Sequence, residues 1–337
     1  MKFRDLGLND GQIDGLNDNL TDNAVNLEHA ALGIPPVEQY ATHAAKHPIL
    51  SIAMWLAFFM LLAATGYLIA RLLSHNGFAG AEQIVLETLN SDIFWTAVAV
   101  GLIAQVIDGA LGMAYGITST SFLLATGVSP AVASASVHIA EVFTTGVSGI
   151  AHVKLGNVNK SLFVRLLIPG IIGAVVGAFI LTSIDGKILK PFISIYLLMM
   201  GIYIISKIFR KLKPATHAPK HVAKLALFGG FVDAVGGGGW GPVVTTTLVG
   251  SGHNPRETIG TVNFAEFFLT FASAIVFSVL VGEGPWPIVA GLVFGGLFAA
   301  PFAAYACKKF HARTLLILVG TLIVIVSLFT LYKTFFA

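Results

Sequence analysis

Hydrophobic positions in this chain fall in long unbroken runs, without the one-sided periodicity of a helix lying on a soluble core. About 20 residues are needed to cross roughly 30 Å of hydrocarbon. Seven runs meet that length cleanly: 49–73, 131–153, 161–183, 188–209, 257–281, 285–307 and 313–333. Two more, 93–126 and 224–251, are apolar but carry Asp and Gly clusters in their middles. Each of these predicts either a kinked full span or a hairpin that enters and leaves on one face. The expected fold class is therefore all-α, a polytopic membrane protein.

The interruptions repeat at a fixed offset. Asp108 and Asp233 stand 125 positions apart. The same offset pairs Gly112 with Gly237, Gly116 with Gly241, Thr120 with Thr245, Gly127 with Gly252, Pro130 with Pro255, Glu141 with Glu266, Thr145 with Thr270, Ser148 with Ser273 and Gly170 with Gly295, with no gap. A duplicated membrane protein with interrupted helices is the usual build of a secondary transporter. The chain divides accordingly into a polar tail (1–47), an additional transmembrane helix and loop (48–92), a first transporter repeat (93–217) and a second (218–337).

The distribution of Lys and Arg bears on the topology. If both interrupted segments are re-entrant, the basic residues from Lys154 to Arg313, apart from Lys187 and Lys190, share the side of the amino-terminal tail; Arg71 and Lys333 lie with those two opposite. If both are full spans, either the 207–224 or the 308–313 cluster faces the wrong way. Re-entrant hairpins are therefore expected, and each repeat then holds one hairpin and three spans. An odd number of spans inserts the two halves in opposite orientations, so the hairpins enter from opposite faces and meet near the midplane. Irregular backbone survives at that depth only where protein or water satisfies it, so the breaks should mark a cavity.

Composition agrees with the membrane reading. Hydrophobic residues make up 55% and charged residues 11% of the 337, against about 25% charged in an average soluble domain; the mean hydropathy is +0.82. The formal net charge of +3 does not suggest nucleic acid, because the basic residues sit beside hydrophobic runs with no interleaved aromatic pattern. The single cysteine, Cys307, allows no internal disulfide and reads as a free thiol near a cytoplasmic helix end. Residues 1–47 lack an early apolar core, which argues against a cleavable signal and for a cytoplasmic tail. The expected location is a bacterial inner membrane with the amino terminus cytoplasmic.

The second break reads Asp233-Ala-Val-Gly236-Gly237-Gly238-Gly239-Trp240-Gly241-Pro242. Four successive glycines leave backbone N–H groups unshielded, Pro242 suits the first turn of a following half-helix, and such a nest binds anions. The first break, Asp108 to Gly116, has Leu111, Met113 and Ala114 among its glycines and is a less obvious cradle. Tyr115 and Trp240 match and can wall the cavity, each offering one polar hydrogen. The competing account is that these glycines only allow close helix packing.

A polar stripe follows each break. Ser134, His138, Glu141, Thr145, Ser148 and His152 are spaced to share one helical face, and Asn263, Glu266, Thr270 and Ser273 repeat it, with Phe277 in place of His152. An ionised carboxylate mid-span costs at least about 2.5–3.5 kcal/mol on insertion scales, so Glu141 and Glu266 are either buried structural hydrogen-bonders or functional groups.

The repeat, the Asp followed by Gly236–Gly239, Gly241 and Pro242, and the paired helices bearing Asn263 and Glu266 resemble the sulfite exporter TauE/SafE family of small-anion membrane transporters over roughly 93–333. The resemblance implies transport of a sulfur-containing anion, such as sulfite or sulfoacetate, coupled to an ion gradient. The expected substrate contacts are Gly112, Tyr115, His138, Gly236, Gly237, Gly238, Gly239, Trp240 and Asn263. Asp108, Glu141, Asp233 and Glu266 are the expected coupling or proton-path residues, with a proton as the candidate coupling ion. No catalytic residue, metal or cofactor is assigned, and the lipid bilayer and the small anion are the expected partners. Two other readings stand beside a carrier: an anion channel, and a membrane-embedded enzyme using His138 and Glu141, which has no HExxH, CxxC or GxSxG motif behind it.

Overall fold

In a computed structural model of the chain, the described residues are 47–74, 77–111, 113–206, 221–251, 253, 255–281, 286–309 and 312–336. The expected tail, apart from His47, and residues 207–220 of the 207–224 basic cluster thus lie outside them. Regular structure among the described residues is entirely helical. The additional helix is α1 (Pro48–Ser74), followed by α2 (Gly77–Leu89). The first repeat comprises α3 (Asp92–Leu111), α4 (Tyr115–Ala125), α5 (Pro130–Lys154), α6 (Lys160–Ser183) and α7 (Gly186–Ser206). The second comprises α8 (Val222–Gly236), a π-helical turn (Gly241–Thr245) running into α9 (Thr246–Gly250), then α10 (Pro255–Leu280), α11 (Trp286–Lys309) and α12 (Ala312–Phe336).

All seven clean runs form single helices with nearly the expected ends, and both interrupted runs break at their Gly clusters. At about 1.5 Å per residue, the 11-residue α4 is only about 16 Å long, too short to cross a bilayer alone. The helix α2 departs from the expected loop. Its 13 residues are too few for a span, which hid it from a 20-residue criterion, and it meets the helical stretch Asp92–Val106 at 70°. The Gln83 side-chain amide donates to Glu87 Oε1 one turn on (2.9 Å), tying its exposed face together.

The repeats interlock. The most extensive helix contacts are α3 with α11 and α8 with α6, and the 125-residue offset turns one of these pairs into the other. The remaining large contacts include α5 with α10 and α7 with α12, each joining an element to its own repeat partner. Neither half buries its apolar surface without the other. Small residues allow the approach, as is usual between membrane helices: a Cβ on Gly177 would meet Phe231 O at 2.6 Å, and one on Gly101 would meet Leu292 O at 2.6 Å. Across α6 and α10, the Phe163 and Phe264 rings stack at 4.9 Å. The helix α1 has no repeat partner and packs chiefly on α5.

Candidate functional site

The two breaks touch. Thr120 Oγ1 on α4 donates to the Gly237 carbonyl. A Cβ on Gly116 would collide with Gly238 Cα and lie 2.8 Å from Glu141 Oε1. Gly237 and Gly238 take φ of +65° and +134°, conformations that glycine reaches without a Cβ penalty. Glycine is therefore required here both by backbone conformation and by the approach of the opposite repeat.

Asp233, at the end of α8 and fully buried, organises the second break. Its Oδ1 accepts from the backbone N–H groups of Gly239 (2.7 Å) and Trp240 (2.8 Å), and its backbone carbonyl accepts from Gly238 N–H (2.9 Å). The amides that sequence reasoning reserved for an anion thus hold a carboxylate of the chain itself. Its Oδ2 lies 3.1 Å from His138 Nε2. On its other side, His138 Nδ1 is 2.8 Å from Ser134 O. A carbonyl only accepts, so Nδ1 carries a hydrogen, and the Nε2–Oδ2 contact must contain a proton of its own. The Ser134 hydroxyl donates to Ala234 O (2.6 Å), clamping α5 to α8.

The first break repeats this plan loosely. Asp108 Oδ1 accepts from Tyr115 N–H at 3.4 Å, one long bond where Asp233 has two short ones. Ala114, equivalent to Gly239, takes φ +108° despite its Cβ. The matching aromatics both donate to main-chain carbonyls: Tyr115 Oη–H to Leu292 O (3.0 Å) and Trp240 Nε1–H to Val262 O (3.0 Å). Their polar hydrogens are therefore engaged within the protein.

A space of about 10 Å³ lies where the breaks meet, lined by Asp108, Tyr115, Gly116, Glu141, Thr145, Asp233, Gly238, Gly239, Glu266 and their neighbours. That is room for about one water. Four carboxylates face it and, among the described residues, no Lys or Arg does. Glu141 is 2% exposed, and its Oε2 has no hydrogen-bond partner. His138, Glu141 and Asp233 each place one potential ligand atom within 4.8 Å of the others, a spacing within reach of a small cation, although the Nε2–Oδ2 contact has hydrogen-bond length.

Of the residues expected at the site, Asp108, Tyr115, Glu141, Asp233, Gly238, Gly239 and Glu266 converge on this space, and His138 supports it from behind Asp233. Gly236 instead packs against the Tyr196 ring, Gly237 against Thr120, and the fully buried Trp240 ring against Gly170 and Gly229. Asn263 is buried outside the lining, with Oδ1 unbonded. Gly112 lies outside the described residues. Lining residues such as Gly116 and Thr145 went unassigned, as did Thr120 and Tyr196 beside them. Thr120 had a signal in its pairing with Thr245. Tyr196, whose hydroxyl faces Gly238 O at 3.4 Å, has no counterpart in the other repeat to draw attention to it.

Comparison with known proteins agrees with this architecture. The family described as sulfite exporter TauE/SafE matches residues 97–330. The chain belongs to this family. It is also 46% identical, over 247 residues that cover 71% of this chain and 82% of the relative, to a probable membrane transporter protein, YtnM, of Bacillus subtilis (strain 168). No solved structure matches it. The chain is thus a multi-pass membrane transporter of the TauE/SafE type.

Proposed function

We propose that this transporter moves a small sulfur-containing anion, of the sulfite or sulfoacetate type, across the inner membrane as a gradient-coupled carrier. The carrying observation is the contact between the two breaks. Irregular backbone from both repeats meets at one small space lined by buried carboxylates, and repeat-related discontinuous helices are where secondary transporters bind cargo. A sulfur oxyanion is larger than the one water this space admits, so the described conformation is a closed one in which the cargo is not yet accommodated. An anion entering beside four carboxylates needs compensating cations, and protons on Glu141 and its neighbours supply them without any Lys or Arg. We read the amino terminus, together with the loops near 156, 214 and 310, as cytoplasmic.

The test is flux into proteoliposomes. Radiolabelled sulfite, sulfoacetate and unrelated anions are offered with and without an imposed pH gradient. Saturable accumulation of a sulfur anion that collapses with the gradient is expected. Flux that never saturates would mean a channel, and no flux of any sulfur anion would overturn the cargo assignment.

A further inference from the structure

The backbone donors best suited to an incoming anion are already holding one. Asp233 Oδ1 takes the Gly239 and Trp240 amides at 2.7 and 2.8 Å, in a space too small for a second anionic group. We propose that Asp233 is an internal stand-in for the cargo: the cargo's anionic oxygens bind these two amides by displacing the Asp233 carboxylate, which leaves as the neutral acid with the proton it shares with His138. This rests on the anion-carrier reading above and assigns the place and manner of binding within it.

The proton follows from the geometry. His138 Nδ1–H is tied to Ser134 O, and so the proton in the Nε2–Oδ2 contact is the pair's to share. Two amides and His138 Nε2 hold the Asp233 carboxylate, and charge-assisted hydrogen bonds of this kind are the strong ones. Once the cargo takes the amides, the proton passes from Nε2 to Oδ2, leaving neutral imidazole and neutral acid, and no bare carboxylate confronts the bound anion. The other titratable groups facing this corner are Glu141 on α5, Asp108 on α3, Tyr115 on α4, Tyr196 on α7 and Glu266 on α10. None of these described groups is cationic, and His138, in direct contact with Asp233 Oδ2, is the group placed to pass it a proton. The partner repeat lacks the device: Asn263 stands where His138 does, and Asp108 holds one amide at 3.4 Å.

Equilibrium binding of radiolabelled sulfite to the purified full chain distinguishes this exchange from a merely structural cluster, which either substitution would only weaken. Asp233→Asn replaces the internal anion by a weaker neutral acceptor and is expected to bind sulfite roughly tenfold more tightly. His138→Gln removes the proton source, leaves Asp233 charged on its amides, and is expected to bind roughly tenfold more weakly. The double variant should recover at least wild-type affinity. If Asp233→Asn does not yield folded protein, infrared difference spectra of the wild type carry the test: adding sulfite should diminish an ionised carboxylate band and raise a protonated carboxyl band. Affinity lowered by Asp233→Asn, or no carboxyl band in the wild type, overturns the exchange alone. Absence of sulfite binding in both wild type and Asp233→Asn overturns the cargo assignment and the exchange with it.

Discussion

The two breaks follow one plan with unequal tightness. In the second, glycine occupies all four positions from 236 to 239, and Asp233 is gripped by two amides and by His138. In the first, Ala114 bears a left-handed conformation that costs a residue with a Cβ about 1–2 kcal/mol, and Asp108 has one long amide contact. Both breaks therefore place an acid at the end of one half-helix and an aromatic at the start of the next, with different hydrogen bonding between them. The polar stripe is unequal in a matching way. His138 reaches across to the acid of the other repeat, whereas its counterpart Asn263 keeps an unbonded Oδ1. The tighter break and the histidine belong to different repeats but to the same corner, so the asymmetry is concentrated at Asp233.

The largest expected effect is steric. Gly238→Val would push a side chain into the backbone of Gly116 and Ile117 at φ +134°, so the repeats could not meet. Loss of all transport is expected, together with a destabilisation of about 3 kcal/mol or more. The contact with α4 adds this folding cost to the loss of transport. At the equivalent Met113, which already carries a side chain, a change to Val should cost under about 1.5 kcal/mol. Equal sensitivity of the two positions in thermal unfolding would remove the distinction between the breaks.

Next come the acids. Asp233→Ala strands two amides and His138 in a buried corner and should destabilise by roughly 3–5 kcal/mol, the range for breaking a buried pair. Asp108→Ala loses one long hydrogen bond and should cost about 1 kcal/mol. Unfolding in detergent micelles, measured side by side, reads the difference; a larger loss at Asp108 would invert the comparison. The smallest effect has the opposite sign. Ala114→Gly should stabilise by about 1 kcal/mol, because glycine relieves the positive φ, and any destabilisation would show that the Ala114 methyl group contributes more by packing than its conformation costs.

Much of this was legible in the sequence because membrane helices are written in long apolar runs and because the duplication supplies an internal alignment. The helices of the seven clean runs, both breaks and the convergence of Asp108, Glu141, Asp233 and Glu266 could be read in that way. The roles of the glycine amides and of Trp240 could not. Composition shows that amides are unshielded, but not that Asp233, six residues earlier, folds back to occupy them. Likewise, an indole N–H is visible in the sequence while its acceptor, Val262 O, lies on another helix. Tyr196 escaped because it acts from α7 and the repeat contains no second copy of it. The short α2 escaped because length, the strongest membrane signal, does not apply to it.

The two repeats meet as chemical unequals: Glu141 sits buried with an unbonded oxygen, while Glu266, though lining the same space, is less deeply buried, and under the proposed function coupling belongs to the Glu141 corner. The direct measurement is accumulation of radiolabelled sulfite in proteoliposomes under an imposed pH gradient, for wild type, Glu141→Gln and Glu266→Gln, with sulfite binding measured alongside. Glu141→Gln is expected to bind sulfite yet lose gradient-driven accumulation, and Glu266→Gln to keep most of it. Normal accumulation by Glu141→Gln, or equal loss in the two variants, would contradict the account.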